Sequence, residues 1–367
     1  MFLRQAERWR WHVKVALASA IAGACRLEEH ALNKAGQQCR PVILGYHRVV
    51  EDFESAAQTD IPSMLIGRGM FERHIEWLGK RFRFVSLDEI GAHAESREPF
   101  SDPVVAMTFD DGYGDVYEHA FPLLRRKGIP AAVFVVTDLI SRPLWHTHDK
   151  LYYLVDKAFH TWDEPRRRLF QLMTELQLPT DQIFRRRTAV TSSMSAISAL
   201  LPVLPQADVI RLMNSLETCV ELHASDVPLS LTWPMIHEMR RGGITFGSHT
   251  QSHVSLPTET PAAVREQLEG SKRVLEQRLH ERIDHFAYPG GQFTPQVVDA
   301  LDRAGYRYAY TACPHGDQRH PALTLERLLL WEGSSIDARG EFSSPVFNCQ
   351  IHDLWPPARR CERTHRI

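Results

Sequence analysis

Two adjacent carboxylates, Asp110 and Asp111, come directly after an apolar run at residues 103–109. Such a run is typical of a strand buried on both faces, so the two side chains would lie together at the strand end. Burying an unpaired charge costs several kcal/mol, and neighbouring like charges repel each other. The pair therefore indicates either a nearby cation or a solvated turn, and taken alone it favours neither.

Two histidines, His249 and His253, are candidate partners for that pair. They stand four residues apart after a second apolar run at residues 243–247. On a helical turn, this spacing would place both imidazoles on one face. Two imidazoles and a carboxylate form a three-ligand set for a divalent metal ion and leave positions open for water and substrate. A histidine pair alone is more typical of a surface, but beside two aspartates it favours a metal site.

A further cluster at residues 146–149, His-Thr-His-Asp, also has metal-like spacing. A loop that leads into a helix, with Asp149 as the N-cap, explains these residues equally well. We therefore leave them out of the predicted metal site.

The candidate residues lie far apart in sequence, and the pattern of strands and helices predicts a scaffold that unites them. Strand–helix alternation favours a parallel sheet or barrel, and reactive residues of (β/α) barrels collect at the carboxyl ends of the strands. We expect an α/β fold, specifically a distorted (β/α) barrel. The predicted strands lie at residues 41–46, 84–87, 103–109, 131–136, 243–247, 285–288 and 306–311, and helices are predicted at 70–81, 117–127, 233–241, 261–278 and 294–304.

The alternation stops between about residues 145 and 229, where helical patterns rich in Arg, Leu and Gln take over. We interpret this segment as a helical insertion that helps to select the substrate, because insertions in barrels lie beside the site. The predicted organisation is an N-terminal helical arm at residues 1–40, a barrel at 41–340 and a C-terminal extension at 341–367.

Three short motifs resemble those of a known enzyme family. Residues 108–113 read Thr-Phe-Asp-Asp-Gly-Tyr, residues 249–253 read His-Thr-Gln-Ser-His, and residues 286–291 read Phe-Ala-Tyr-Pro-Gly-Gly. In this order they resemble the polysaccharide deacetylase family, also called the NodB-homology family or carbohydrate esterase family 4. The resemblance extends over about residues 41–330 and implies a barrel of the NodB-homology type.

The resemblance also implies roles for the first two motifs. Asp111, His249 and His253 would hold a divalent metal ion, usually zinc in this family, and Asp110 would be the general base. Such a cation polarises an acetyl carbonyl and lowers the pKa of its water to ~7, so that a nearby carboxylate can accept the proton.

Three residues are assigned to the substrate or the oxyanion. The backbone N–H of Gly290, in the turn that begins at Pro289, would face the tetrahedral oxyanion together with the metal. Tyr113 would stack on a sugar ring. A plain tight turn explains Pro289 and Gly290 equally well. For Tyr113, packing in the core is the better default.

The amine must leave protonated, and two histidines compete as the general acid. His47 ends the first predicted strand in a Tyr-His pair that resembles a motif of a circularly permuted branch of the family. His352 lies in a segment that partly matches the late motif of the unpermuted branch. We favour His47 because barrel active-site residues stand at strand ends, and a buried structural histidine is the alternative for either.

The third motif departs from the family pattern at one position. The family often has an arginine there that orients the base, whereas this chain has Ala287. Arg327 or Glu332 could do related work. The sequence therefore leaves open which residue orients the base and sets its pKa.

Composition limits the classes of partner and the compartment. The formal net charge is -2, with 43 basic and 45 acidic residues interspersed, so we expect no nucleic-acid partner. The six cysteines are scattered and form no C-x-x-C pair, which argues against a zinc ribbon or a disulfide framework and weakly favours a reducing compartment.

The N-terminus has two interpretations. Basic residues precede an apolar run at residues 15–24, about half of the ~20 residues that a spanning helix needs. It is either an amphipathic helix that rests on a membrane surface or on the domain itself, which we favour, or the core of a signal peptide. We therefore expect a cytoplasmic or membrane-peripheral protein, with export as the alternative.

These observations predict a metal-dependent hydrolase that removes N-acetyl groups from amino sugars of a polysaccharide or lipid-linked glycan. Two alternatives stay open at this point. One is a hydrolase of cyclic or other non-sugar amides on the same fold. The other is a glycan-binding pseudoenzyme.

Overall fold

The computed structural model describes residues 15–18, 40–96, 98–184, 190–220 and 229–354. A parallel sheet curves into a barrel at the centre of the molecule, and its central strands are mostly apolar because both faces are covered. All six residues of the central strand Val104–Phe109 are buried. The strands are β1 (Val42–Tyr46), β2 (Arg48–Val50), β3 (Leu65–Gly67), β4 (Arg83–Phe84), β5 (Val104–Phe109), β6 (Ala131–Val135), β7 (Ile244–Ser248), β8 (His285–Ala287), β9 (Tyr308–Thr311), β10 (Leu325–Glu326) and β11 (Leu328–Leu329).

One short segment closes the barrel. Neighbouring strands follow the order β10-β9-β8-β7-β6-β5-β1-β11, and β4 pairs with the start of β5. Only Arg327 separates β10 from β11, so residues 325–329 pair with β9 on one side and with β1 on the other. The predicted distorted barrel is confirmed. The closing segment and the separate β2–β3 pair are additional to the predicted strands.

Helices surround the barrel, and a group of them lies between β6 and β7. Besides the helical residues 15–18 and a π-helix at Val116–Ala120, the α-helices of the described residues are α1 (Phe53–Ala56), α2 (Arg68–Gly79), α3 (Leu87–Ser96), α4 (Phe121–Lys127), α5 (Thr147–Thr161), α6 (Pro165–Glu175), α7 (Thr180–Phe184), α8 (Ser193–Leu200), α9 (Gln206–Glu217), α10 (Trp233–Arg241), α11 (Pro261–Leu279), α12 (Pro295–Arg303) and α13 (Ser344–Ile351). Helices α5 to α9 share an apolar core of their own, which includes Leu151, Leu200 and Leu212. This helical segment therefore packs as a unit beside the barrel.

Thr-Pro pairs begin two helices that follow site loops. The hydroxyl of Thr260 accepts a hydrogen bond from the amide of Ala263, and that of Thr294 accepts one from Val297, each at 3.3 Å. A threonine N-cap satisfies a free helix amide, and proline at the first helical position has no N–H to leave unpaired. The caps fix the ends of the loops that leave β7 and β8.

The two termini are described only in part. Of the predicted N-terminal arm, residues 1–14 and 19–39 lie outside the described residues, and the helical residues 15–18 contact α13 through Ala18. Of the predicted C-terminal extension, residues 355–367 lie outside them as well. Among the helices that are described, none combines the length and the apolarity needed to cross a membrane.

Candidate active site

The site lies at the carboxyl ends of the central barrel strands. Asp110 and Asp111 follow β5, and the amide of Asp110 donates a hydrogen bond to the carbonyl of Tyr46 at the end of β1, at 2.9 Å. His249 follows β7, and its amide donates to the carbonyl of Val135 at the end of β6, at 3.0 Å. The parallel register thus brings four strand ends to one edge, as barrel folds do.

Asp111, His249 and His253 converge there. The Nε2 atoms of His249 and His253 lie 3.5 and 3.3 Å from Oδ1 of Asp111, and one ligand atom from each residue fits within 4.8 Å of the others. Neither oxygen of Asp111 receives a hydrogen bond from any described residue, although both are buried. Burial, together with Asp110 and Asp149, raises the pKa of Asp111 well above its usual range.

The histidine pair does not lie on a helical turn, contrary to the prediction. Residues 249–253 form an irregular turn in which Thr250 and His253 adopt left-handed φ angles of 70° and 57°. The hydroxyl of Thr250 accepts a hydrogen bond from the amide of His253 at 2.9 Å and holds the turn. Backbone in this region costs of order 1–3 kcal/mol for residues other than glycine, and such strain clusters at functional sites.

The backbone at Ala287 holds His249 in place. Nδ1 of His249 lies 2.7 Å from the carbonyl oxygen of Ala287, which can only accept a hydrogen bond. Nδ1 therefore carries the proton, and Nε2 presents its lone pair to Asp111. Burial lowers the pKa of His249 to about 4, so the ring is neutral at neutral pH. The position where the family often has an arginine thus contributes here through its carbonyl.

Arg327 clamps the predicted base. Its Nη1 and Nη2 atoms donate to Oδ1 and Oδ2 of Asp110, each at 2.7 Å, and Nη1 also donates to Oγ1 of Thr108 at 2.9 Å. Burial raises the pKa of Asp110, but Arg327 outweighs it together with His249 and His47, and the pKa lies at about 2. Glu332 instead accepts a hydrogen bond from the amide of Gly67. Of the two candidates for this task, Arg327 is the one that contacts the base.

His47 and His352 occupy different environments. His47 follows β1, is electrostatically coupled to Asp110 and Arg327, and has a buried Nδ1 that no described residue hydrogen-bonds. Burial lowers its pKa to about 4, against the opposing effect of Asp110. His352 is exposed at the end of α13, where its ring lies 6.0 Å from that of Phe82. The geometry favours His47 as the histidine of the site.

The prediction of a sugar-stacking Tyr113 is wrong, because this side chain is completely buried. Its ring lies between the guanidinium of Arg48, 5.1 Å away, and the ring of His146, 4.3 Å away. The turn that begins at Pro289 follows β8 as expected, and Gly290 is exposed there with a left-handed φ of 61°. Its role towards an oxyanion stays a prediction.

His146 and His148, which the sequence analysis left out of the metal site, lie directly beside it. Both are buried, and one ligand atom from each fits within 4.8 Å of a carboxylate oxygen of Asp111. The N-cap of α5 is His146, whereas Asp149 is buried and accepts a hydrogen bond from the hydroxyl of Tyr113. The His-x-His spacing was the available signal, but it did not show that this loop folds over the ends of β5 and β7.

Comparisons with known proteins identify one family of enzymes. The polysaccharide deacetylase profile matches residues 97–309 of the chain. YxkH of Bacillus subtilis, named as a candidate polysaccharide deacetylase, is 20% identical over 282 residues, which cover 76% of this chain and 71% of that protein. The poly-beta-1,6-N-acetyl-D-glucosamine N-deacetylase of Staphylococcus aureus is 27% identical over 116 residues, which cover 29% of this chain and 40% of that enzyme.

Solved structures share the fold. The Streptococcus pyogenes deacetylase PplD in complex with acetate superposes with a TM-score of 0.52 at 17% identity, covering 83% of this chain and 97% of that one. IcaB from Ammonifex degensii superposes with a TM-score of 0.51 at 20% identity, covering 81% and 94%. At these identities the likeness concerns the barrel itself.

Proposed function

The chain belongs to the polysaccharide deacetylase family, and on this premise we propose that it removes N-acetyl groups from amino sugars of a glycan by metal-dependent hydrolysis. One observation carries the proposal. The buried carboxylate of Asp111 receives no hydrogen bond from the described residues and faces the Nε2 atoms of two imidazoles. A buried carboxylate without donors is costly unless a cation accompanies it.

The donor set fits a zinc-like ion. Two atoms bound to one tetrahedral zinc at ~2.0–2.1 Å are about 3.4 Å apart, and the imidazole nitrogens lie 3.5 and 3.3 Å from Oδ1 of Asp111. His249 is neutral at neutral pH, as a ligand must be. Asp110 is already neutralised by Arg327, so Asp111 is the carboxylate left to bind the ion. Asp111, His249 and His253 would therefore hold it.

A divalent cation at this position supplies Lewis-acid polarisation of the acetyl carbonyl and a more acidic water. Asp110 stands beside the ligand set and accepts the proton of the attacking water, and the fork of Arg327 fixes the direction of both carboxylate oxygens. His47 delivers a proton to the departing amine. Because its pKa is about 4, the ring starts neutral at neutral pH, so it must first receive the proton that Asp110 takes from the water and then pass it to the amine.

The glycan is proposed from the relatives. The Staphylococcus aureus relative is a deacetylase of poly-beta-1,6-N-acetyl-D-glucosamine, and we propose an N-acetylglucosamine polymer or its lipid-linked form as the substrate class here. The helical segment at α5 to α9 stands next to the site through His146 and His148. It is therefore placed to contact the sugar units that flank the reacting one.

An acetate-release assay tests the proposal. β-1,6- and β-1,4-linked N-acetylglucosamine oligomers are incubated with zinc-loaded protein, and acetate and free amine are measured together. Wild type should release both in equal amounts, Asp110→Asn should keep its metal but lose ~10²–10⁴-fold in rate, and His249→Ala should lose metal and activity. His352→Ala, an exposed histidine on α13, is the matched control and should behave as wild type. Zinc-loaded wild type that releases no acetate from any N-acetylated sugar would exclude the deacetylase.

A further inference from the structure

Four polar groups form a continuous chain from the metal site into the start of the helical segment. The two ring nitrogens Nδ1 of His253 and Nδ1 of His148 lie 3.4 Å apart, Nε2 of His148 lies 2.8 Å from the hydroxyl oxygen of Tyr113, and that oxygen lies 2.7 Å from Oδ2 of Asp149. The side chains of Tyr113, His148 and Asp149 are at most 7% exposed. Water therefore competes little with these contacts.

Asp149, at the far end of this chain of polar groups, determines where the protons of the other three groups lie. Asp149 has a pKa that burial raises to about 6, so at neutral pH it is ionised and only accepts. The single hydroxyl proton of Tyr113 then goes to Asp149, and Nε2 of His148 must donate to the hydroxyl oxygen. Nδ1 of His148 is left with a lone pair, which accepts the proton on Nδ1 of His253.

This order of donors decides which atom of His253 faces the metal. With its proton on Nδ1, His253 presents the lone pair of Nε2 towards Oδ1 of Asp111, 3.3 Å away. His249 reaches the same state by donating from Nδ1 to the carbonyl of Ala287. Hydrogen bonds of this kind fix the tautomer of a metal-bound histidine and make it a stronger ligand.

We propose that Asp149, Tyr113 and His148 are positioning residues that hold His253 in its metal-binding tautomer. The inference rests on the metal site of the proposed function and adds residues to it, of which only Tyr113 lies in one of the three motifs. Two of them, His148 and Asp149, belong to the first turn of α5. The helical segment therefore contributes to metal affinity as well as standing beside the substrate.

The same cluster has a competing explanation, a second cation held by Asp111, His146 and His148. The partners of His148 argue against it. Nε2 of His148 is occupied as a donor to the hydroxyl of Tyr113, 2.8 Å away, and lies farther, at 3.7 Å, from Oδ2 of Asp111. Nδ1 of His148 lies 3.4 Å from Nδ1 of His253. Both ring nitrogens of His148 therefore have partners other than a second ion.

Tyr113→Phe tests the proposal because it removes only the hydroxyl that joins His148 to Asp149. Zn²⁺ affinity is measured by competition with a chromophoric chelator, and the visible spectrum of the Co²⁺ form reports the ligand geometry. The expected result is a ~10–100-fold loss of Zn²⁺ affinity with an altered Co²⁺ spectrum. The matched control is Tyr310→Phe, another buried tyrosine with its hydroxyl on a histidine, His285, and it should stay within about twofold of wild type.

Asp149→Asn is the second variant, and it carries the test if Tyr113→Phe does not fold. The amide keeps an acceptor for Tyr113 but loses the charge, so its affinity should fall between wild type and Tyr113→Phe. Unchanged affinity and Co²⁺ spectra in the folded variants would overturn the positioning role while the metal site stands. If wild type binds two equivalents of Zn²⁺, the second cation would replace the positioning role as the explanation of this cluster. A wild type that binds no Zn²⁺ would overturn both this inference and the metal part of the proposed function.

Discussion

Removing Arg327 should expose how strongly the buried base depends on its partner. Arg327→Met keeps an unbranched side chain at the point where the barrel closes and removes the two hydrogen bonds to Asp110. Asp110 is 3% exposed, so its charge would remain buried without a partner. Breaking a buried ion pair in this way costs about 3–5 kcal/mol.

The pKa of Asp110 gives the magnitude and its sign. In the native protein that pKa is about 2, against an ordinary value of 3.8. A depressed carboxyl pKa stabilises the fold above the ordinary value, here by about 2–3 kcal/mol at neutral pH, and the stabilisation is lost as pH falls from 3.8 towards 2. Without Arg327, burial would raise the pKa of Asp110 above its ordinary value. The loss of stability in Arg327→Met therefore exceeds the contribution of the depressed pKa and falls within about 3–5 kcal/mol.

Urea unfolding at pH 7 of wild type, Arg327→Met, Asp110→Asn and the double variant measures the coupling between the two side chains. The double variant should be several kcal/mol more stable than the sum of the single losses predicts. The cost of Arg327→Met should also shrink at low pH, where Asp110 becomes protonated. Arg319→Met, which breaks surface ion pairs with Asp299 and Asp317, should cost less than about 1 kcal/mol. If Arg327→Met lowers the free energy of unfolding equally in wild type and in Asp110→Asn, Arg327 does not stabilise the protein through Asp110, and the reasoning is refuted.

Two further outcomes follow from the site. His47→Gln should leave Zn²⁺ affinity intact and lower the acetate-release rate by ~10²–10⁴-fold, and an unchanged rate would exclude His47 as the general acid. Metal uptake should release protons and tighten as pH rises, because burial and its carboxylate neighbours raise the pKa of Asp111 while the metal needs the charged form. Calorimetry in buffers of different ionisation enthalpy measures that release, and uptake without it would contradict the assigned state of Asp111.

The main strands were predictable because a short stretch of sequence is enough to show the run of apolar residues that a buried strand needs. A run such as β5, buried along its whole length, is apolar at every position except Thr108 until it ends in the two aspartates. The closing segment at residues 325–329 was missed because it is short and has the charge of Arg327 at its middle. A buried charge there is stable only because Arg327 pairs with Asp110, which lies 217 positions earlier in the chain.

The candidate metal ligands were predictable from their motifs, whereas the residues that hold them in place were not. The spacing of His249 and His253 indicated a shared face, but the structure reaches it through left-handed residues in a turn and not through a helix. The hydrogen bond between Tyr113 and Asp149 joins positions 36 residues apart. No local pattern marks such a contact, because it depends on how the first turn of α5 packs over the strand ends.

Anomalous diffraction at the zinc absorption edge tests the central claim most directly, on crystals of the zinc-loaded protein. The expected result is one peak ~2.0–2.2 Å from an oxygen of Asp111 and from the Nε2 atoms of His249 and His253. A peak held by Asp111, His146 and His148 instead, or no peak beside Asp111, would contradict it.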